Sequence, residues 1–464
     1  HGKTTYRAIN SCITLLPMVA GREIVTVEGV AFPEGLHPVQ AAMVERYGSQ
    51  CGYCTPGFVV SMFEAYYRPD LGGPSGDPRA RVGDQLNGNL CRCTGYRPIR
   101  DAMLDALDEK KRREDVGAPD LFQLRLSKGA APSLPAIDYE AGAQAFRRPT
   151  SLLELYAIKK ERREQAELVA GATEIGVYVN KQHRRYPLLV STEGVRELAV
   201  IEKGDHAWRI GGAATLTAVE EALAGEHPMI DKMLWAFASR QIRNRATIAG
   251  NIVTASPIGD MPPILLALDA EVVLERLGDD QRTCSRSVPI ADFFVGYRRS
   301  VLAPDEVVRW IVLPRGTTSA SRKASSYKVS KRRELDISIV AAAFVVDTDP
   351  GDVVTRARLA FGGVAAAFVV DTAPGDVVTR ARLAFGGVAA TPARARKTEA
   401  FLVGKRWDED TLAQAKEILS TEFTPLDDHR SGAAYRRDLV SSLLEKFFRG
   451  ETSGPADEVL SFEP

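Results

Sequence analysis

Apolar positions in the first hundred residues recur at helical spacing. Residues 36–66 carry Val39, Met43 and Val44 on one face, then a second helix from Thr55 onward; a third runs from Pro98 to Lys111. Between Arg68 and Gly83 the Gly/Pro/Asp-rich stretch RPDLGGPSGDPRARVG predicts an irregular loop. From about Asp108 to Phe146 a charge run, DEKKRRED, gives way to Pro, Gly and Ala without periodicity, the composition of an interdomain linker. Beyond Arg147 short β-branched runs (Glu167–Ala170, Ala207–Ile210, Glu271–Leu274, Val307–Leu313) alternate with helical patterns and glycine turns. That texture predicts an α+β or α/β domain to about Arg315. The remainder mixes hairpins with two amphipathic helices, starting near Asp408 and Ala433.

Residues 341–364 recur as 365–388 with one change, Asp349 against Ala373. Solenoid repeats diverge and need at least three copies, so two near-identical copies mark a duplication and not an array. Each copy reads as a hairpin: an apolar strand, a Pro-Gly-Asp turn and a Val/Arg/Leu strand.

With 464 residues, the chain has room for two to four domains. Its net charge of zero, with no basic stretch interleaved with aromatics, argues against nucleic acid as a partner. The longest near-continuous apolar run, Ile337 to Val346, is too short for a membrane span. The chain opens at His1 without Met, and residues 1–25 read as the tail of a small unit that begins upstream. Five of six cysteines fall in the first fifth of the sequence, which suits metal ligation in a reducing, cytoplasmic setting better than disulfides.

Those cysteines carry the strongest chemistry. CGYCTPGF (Cys51–Phe58) and CRCTGYRP (Cys91–Pro98) supply four thiols as CxxC and CxC. Such a set holds either a 2Fe–2S cluster or a Cys₄ zinc, and the tight CxC leans away from zinc. Thr55 reads as a helix N-cap with Pro56 at the first helical position, and Pro98 opens the next helix. Thiolates near two helix N-termini are favoured by the macrodipole, and a pseudo-twofold pair of helices offers two ligands to each iron.

QCGYCTPGFVVSM together with LNGNLCRCTGYRPI resembles the helical 2Fe–2S domain of the xanthine dehydrogenase and aldehyde oxidase family. The resemblance implies Cys51, Cys54, Cys91 and Cys93 as ligands of the cluster nearer the molybdenum. AINSCITLLPMVAG is similar to the segment bearing the last ligand of the family's plant-type cluster, which implies Cys12 as a metal ligand whose three partners lie upstream. Taken alone, Cys12 reads equally well as a buried small hydrophobe.

Two further stretches, LVAGATEIGVYV (Leu168–Val179) and IRNRATIAGNIVTASPIGDMPP (Ile242–Pro263), are rich in small and hydroxyl residues that let backbone N–H groups approach a diphosphate. Neither has Rossmann or P-loop spacing, and glycine-rich turns are more often only turns. Both resemble the FAD-binding loops of the family. The resemblance implies that Leu168, Val169, Ala170, Gly171, Ala172, Thr173, Glu174, Ile175 and Gly176 wrap the diphosphate. Ala172 departs from the Asn or Gly often found there. It further implies Thr247, Gly250, Asn251, Thr254, Ser256 and Asp260 as contacts, with Phe237, Val308 and Lys328 near the flavin and Tyr297 beside the nicotinamide entrance. Without the family, Phe237 and Tyr297 read as core or rim aromatics and Lys328 as a solvated cation.

The resemblance covers nearly the whole chain, FTPLDDHRSGAAYRRDLVSSLLEKFF included. It implies a multidomain α+β fold. Residues 1–25 are a remnant of a plant-type 2Fe–2S ferredoxin-like domain, 26–110 a helical 2Fe–2S domain built as a pseudo-twofold four-helix bundle, and 111–146 a linker. An FAD-binding domain of the vanillyl-alcohol-oxidase and CO-dehydrogenase-flavoprotein type follows at 147–316, then an α+β flavoprotein C-terminal domain at 317–464. The implied activity is electron relay in xanthine oxidation to urate. A molybdopterin-binding large subunit holds the molybdenum cofactor, 2Fe–2S and FAD carry the electrons, NAD accepts them, and two small chains join two large ones. The rivals are the small subunit of an aldehyde or carbon monoxide oxidoreductase and, in another class, a zinc-stabilised nucleotide-binding interaction module. The histidines form no catalytic set and read as satisfied or surface groups; Cys284 reads as an incidental thiol.

Overall fold

The computed structural model describes residues 5–71, 78–127, 133–256, 258–315, 322–332, 335–348, 354–362, 367–373, 377–385, 393–402, 405, 408–423, 425 and 432–449. They fall into two compact units whose boundaries interleave along the chain. One holds 1–150, 167–194 and 238–246; the other holds 151–166, 195–237 and 247–464.

In the first unit, five helices enclose an apolar core: α1 (Pro38–Glu45), α2 (Thr55–Tyr67), α3 (Pro78–Leu86), α4 (Arg97–Asp115) and α5 (Leu121–Ser127). Val39, Phe58, Met62, Phe63, Val82, Ile99, Met103 and Phe122 interdigitate in it. Of the predicted first helical face, Val39 and Met43 are buried and Val44 is exposed. Three expectations need correction. The stretch expected to be irregular through Gly83 turns helical at Pro78, because Val82 and Leu86, one turn apart, both bury. The helix expected to stop at Lys111 continues to Asp115, its last turn carrying Arg112 and Arg113. The linker is partly ordered, since Phe122 of α5 seals the core and Ile137–Ala141 forms a strand.

A four-stranded sheet completes this unit: β1 (Ile137–Ala141), β2 (Gln144–Arg148), β3 (Ala166–Val169) and β4 (Leu188–Ser191), in spatial order β1-β2-β4-β3. β1 and β2 are antiparallel; β2 and β4 run parallel, with Phe146 opposite Leu189. From β3 the chain turns through 170–174 into the helix Ile175–Gln182. Residues 5–30 contribute three short 3₁₀ turns.

Two buried polar systems cross-tie the unit. Glu64 on α2 is nearly inaccessible and accepts from Asn244 Nδ2 (2.9 Å), the Ala8 N–H (3.0 Å) and Arg240 Nε (3.3 Å). Arg243, also fully buried, donates to both oxygens of Asp84 at 2.7 Å. The second system starts at His37, which caps α1: Val39 N–H donates to His37 Nδ1 (3.2 Å). The other ring nitrogen lies 2.9 Å from the Tyr67 hydroxyl, which donates to Asp120 (2.9 Å). Since Nδ1 accepts, the proton sits on Nε2 and points at Tyr67. Burial first, and then Arg113, depress the His37 pKa to about 3.

The second unit contains two larger sheets. One is five-stranded, in order β5-β6-β11-β7-β8, from β5 (Ile201–Lys203), β6 (Ala207–Gly211), β7 (Glu271–Leu277), β8 (Thr283–Pro289) and β11 (Val307–Pro314); β9 (Phe294–Gly296) and β10 (Arg299–Ser300) make a separate ribbon. β6, β7 and β11 match the apolar runs expected for them. The other sheet takes β12 (Arg322–Val329), β13 (Val340–Thr348), β14 (Val354–Gly362), β15 (Ala367–Ala373), β16 (Val377–Phe385) and β17 (Ala393–Arg394).

Both copies of the duplication form antiparallel hairpins, β13–β14 and β15–β16, in this one sheet. Position 349 and both Pro-Gly-Asp turns lie outside the described residues. The copies meet in parallel at β14 and β16, Leu359 beside Leu383 and Ala360 beside Ala384, so equivalent residues face each other one repeat apart. The helices expected near Asp408 and Ala433 run Glu409–Glu422 and Ala433–Phe448; Asp408 caps the first through the Thr411 N–H at 2.9 Å.

Candidate iron–sulfur and flavin sites

The four paired cysteines converge at the starts of α2 and α4. Cys93 Sγ donates to Cys51 Sγ at 3.5 Å, and Cys54 shares a hydrogen bond with Cys91. All are free thiols; Cys51 and Cys93 are exposed, Cys54 and Cys91 half-buried. The set is thus two cross-loop pairs. Among the described residues no group of three or more His, Cys, Asp or Glu side chains is arranged to hold a metal ion. Two pairs suit two irons with two thiolates each, whereas zinc asks for four ligands at one point.

Local hydrogen bonding separates the sulfurs electrostatically. The hydroxyl of Thr94 (3.2 Å) and its N–H (3.5 Å) bond to Cys91 and draw its pKa down to about 7. Burial pushes Cys54 up to about 11. The Tyr53 N–H, then Cys93, lowers Cys51, and donation to Cys51 raises Cys93.

Thr55 is not an N-cap. It is the first residue of α2, the cap position is Cys54 with no side-chain cap bond, and the Thr55 hydroxyl lies 2.7 Å from Ser49 Oγ. α4 opens at Arg97, with Pro98 second, behind the left-handed Tyr96 (φ 66°). Cys12 lies on the 3₁₀ turn Ser11–Ile13 and is exposed, so it is not a buried small hydrophobe. Cys284 is an exposed free thiol on β8.

The first glycine stretch lies in the first unit. Leu168 and Val169 end β3, Ala170 to Thr173 form the turn, Glu174 precedes the helix, and Ile175 and Gly176 begin it. A Cβ on Gly171 would meet the Arg245 carbonyl oxygen at 1.9 Å, and one on Gly176 that of Ile13 at 2.1 Å. These glycines are therefore demanded by the chain's own backbone. Ala172 has φ 61°, a left-handed conformation that Asn or Gly adopts at less cost, and nothing in the structure explains the alanine there. Tyr178 OH bonds Glu174 Oε1 at 2.5 Å.

The second stretch divides at its middle. Ile242 to Ala246 belong to the first unit, where Arg243 and Asn244 enter the buried polar network. From Thr247 onward the residues belong to the second unit. Thr247 caps the helix Ile248–Val253 by accepting from Gly250 N–H at 3.0 Å. Thr254 donates to the Gly250 carbonyl (2.8 Å), Asn251 Oδ1 accepts from Met261 N–H (3.3 Å), and Ser256 Oγ from Ile258 N–H (3.4 Å).

Three predicted residues distant in sequence meet in this unit. Lys328 Nζ lies 2.9 Å from Asp260 Oδ2 and 6.0 Å from the centre of the Phe237 ring. The Lys328 side chain is only 5% exposed, so it is not a solvated cation. Ser338 donates to the other oxygen of Asp260, a contact no sequence signal announced. Val308 is buried in β11 opposite Leu274, whereas Tyr297 is exposed between β9 and β10. A cavity of about 400 Å³ beside Tyr66, Lys110, Arg113 and Asp120 contains none of the predicted residues.

Three family models match successive stretches of the chain. Residues 26–104 match the [2Fe-2S] binding domain, and 141–316 the FAD binding domain in molybdopterin dehydrogenase. The CO dehydrogenase flavoprotein C-terminal domain matches 325–373 and again 364–450, the two matches overlapping at the start of the second repeat copy. The chain thus carries 2Fe-2S, FAD-binding and flavoprotein C-terminal domains of the molybdopterin dehydrogenase type, and in sequence it is xanthine dehydrogenase-like. It is similar to xanthine dehydrogenase 1 of Arabidopsis thaliana, 31% identical over 96% of this chain and 35% of the relative. Xanthine dehydrogenase of Dictyostelium discoideum is also 31% identical, over 96% and 36%. The chain thus spans about a third of the length of these relatives. In fold it resembles carbon monoxide dehydrogenase from Hydrogenophaga pseudoflava (TM-score 0.54, 22% identity, 66% of this chain and 96% of that one). It also resembles quinoline 2-oxidoreductase from Pseudomonas putida 86 (TM-score 0.53, 22% identity, 67% and 98%). Among the described residues no helix is long and apolar enough to cross a membrane.

Proposed function

We propose that this chain is the iron–sulfur and flavin electron-transfer part of a cytoplasmic xanthine dehydrogenase, serving a molybdopterin-binding large subunit that oxidises xanthine to urate, and passing the electrons to NAD. The observation that carries this reading is the pairing of four free thiols, Cys51 with Cys93 and Cys54 with Cys91, at two helix starts. A bound 2Fe–2S cluster would supply single-electron steps, and bound FAD would combine two electrons with a proton into a hydride. The four cysteines hold the cluster. In the second unit Lys328 and Asp260 present a fixed cation and anion beside Phe237, and Thr247, Gly250, Asn251, Thr254 and Ser256 lie on the helix Ile248–Val253, its caps and the segment that follows. In the same unit Tyr297 borders the nicotinamide entrance and Val308 supports the sheet. Cys12 is the one ligand that this sequence offers to a second, plant-type cluster. Two such chains assemble with two large chains.

Identity to xanthine dehydrogenases across 96% of the chain favours xanthine over the carbon monoxide and quinoline reactions, to whose enzymes the likeness is one of fold. The test is the visible spectrum of the full chain with its iron and flavin content. Two or more irons and one FAD per chain support the proposal; colourless protein carrying zinc overturns it. With the large subunit added, NAD reduction by xanthine and not by aldehyde assigns the substrate.

A further inference from the structure

The two cysteine loops are alike in sequence, each pair being followed at once by a threonine, Thr55 and Thr94, but the two hydroxyls are used differently. Thr94 Oγ1 lies 3.2 Å from Cys91 Sγ. The same oxygen accepts the Tyr96 N–H at 3.2 Å, which leaves the hydroxyl proton free to point at sulfur. The Thr94 N–H adds a second bond to Cys91 at 3.5 Å, and the Cys91 N–H is itself held by the Tyr96 hydroxyl at 3.0 Å. Residues 91–96 therefore form a self-bonded loop that fixes the threonine on the sulfur. Thr55, by contrast, is turned away to Ser49 Oγ at 2.7 Å.

A metal-bound cysteine is a thiolate with no proton to give, so Thr94 must be the donor when Cys91 is a ligand. We propose that Thr94 is a positioning residue whose hydroxyl, by bonding the Cys91 sulfur, raises the reduction potential of the cluster. The inference rests on the iron–sulfur reading above. Reduction adds one electron from the donor to one of two ferric ions; no covalent bond breaks and the Thr94 proton stays on its oxygen. Added negative charge on the sulfurs strengthens a bond from a fixed donor, so the reduced form gains more than the oxidised one.

The experiment is an EPR-monitored redox titration of the full chain with dithionite as reductant, comparing wild type with Thr94→Val, Thr94→Ser and Thr55→Val. Thr94→Val should cut the reduced-to-oxidised ratio at fixed poise by about tenfold, equivalent to about 59 mV for one electron. Thr94→Ser should keep the wild-type midpoint, and so should Thr55→Val. An unchanged midpoint in Thr94→Val, or an equal fall in the serine variant, overturns the inference. If Thr94→Val binds no iron, Thr94→Ala takes its place: a midpoint below that of Thr94→Ser supports the inference and one equal to it overturns it. Wild-type protein without iron or a reducible signal removes the underlying reading instead.

Discussion

The cysteine loops and the turn after β3 both depend on glycine, for opposite reasons. Gly52 (φ 83°) and Gly95 (φ 68°) sit in open space, and what they supply is a left-handed backbone that wraps the thiols around the helix starts. Gly171 and Gly176 supply room, since backbone oxygens of Arg245 and Ile13 occupy the space of a side chain. At these two glycines the cysteine loops therefore bear little packing burden. The glycine turn carries packing first, whatever ligand it also serves.

Gly171→Ala should test this contrast most severely. Its Cβ meets a carbonyl oxygen at 1.9 Å, which should cost about 4 kcal/mol or more and leave little soluble protein. A stable variant would break the comparison. Glu64→Gln comes next. It removes the carboxylate facing buried Arg240 and Asn244 at a cost of about 3 kcal/mol, read as a fall in the urea midpoint.

Acid should come third, acting on the helices behind the cysteine loops. His37 is held neutral, with its pKa near 3 against about 6.5 in the unfolded chain, so the unfolded form takes up protons first as pH falls. The His37 contribution is complete above pH 6.5 and declines by about 1.4 kcal/mol per unit below it. Protonating Nδ1 also removes the acceptor for the Val39 N–H. His37→Asn, which keeps a cap without titrating, should flatten the acid limb of a stability–pH curve. Gly95→Ala should do least: about 1 kcal/mol of left-handed strain, no clash, and iron content unchanged.

Much of the cysteine site was legible because it is local. CxxC and CxC fix the thiol spacing within each loop, and Pro56 and Pro98 mark where the helices begin. Thr55 departs from the cap expectation because the helix already begins at this residue and its hydroxyl goes to Ser49, neither of which the local sequence decides. The polar role of Glu64 went unseen, since a lone glutamate among FEAYY gives no sign of partners nearly 180 residues away.

The sequence by itself determined the order of modules, the two cysteine pairs, several strands and helices, and the duplication, because all of these are written in spacing and periodicity. Tertiary structure alone decided which thiol pairs with which. It also brought Phe237, Asp260 and Lys328 together, joined both repeat copies in one sheet, and gave Gly171 and Gly176 their packing task. The physical reason is range. Propensity and ligand spacing act over a few residues, whereas burial of a charge or the close approach of two backbones depends on segments that only the fold makes neighbours.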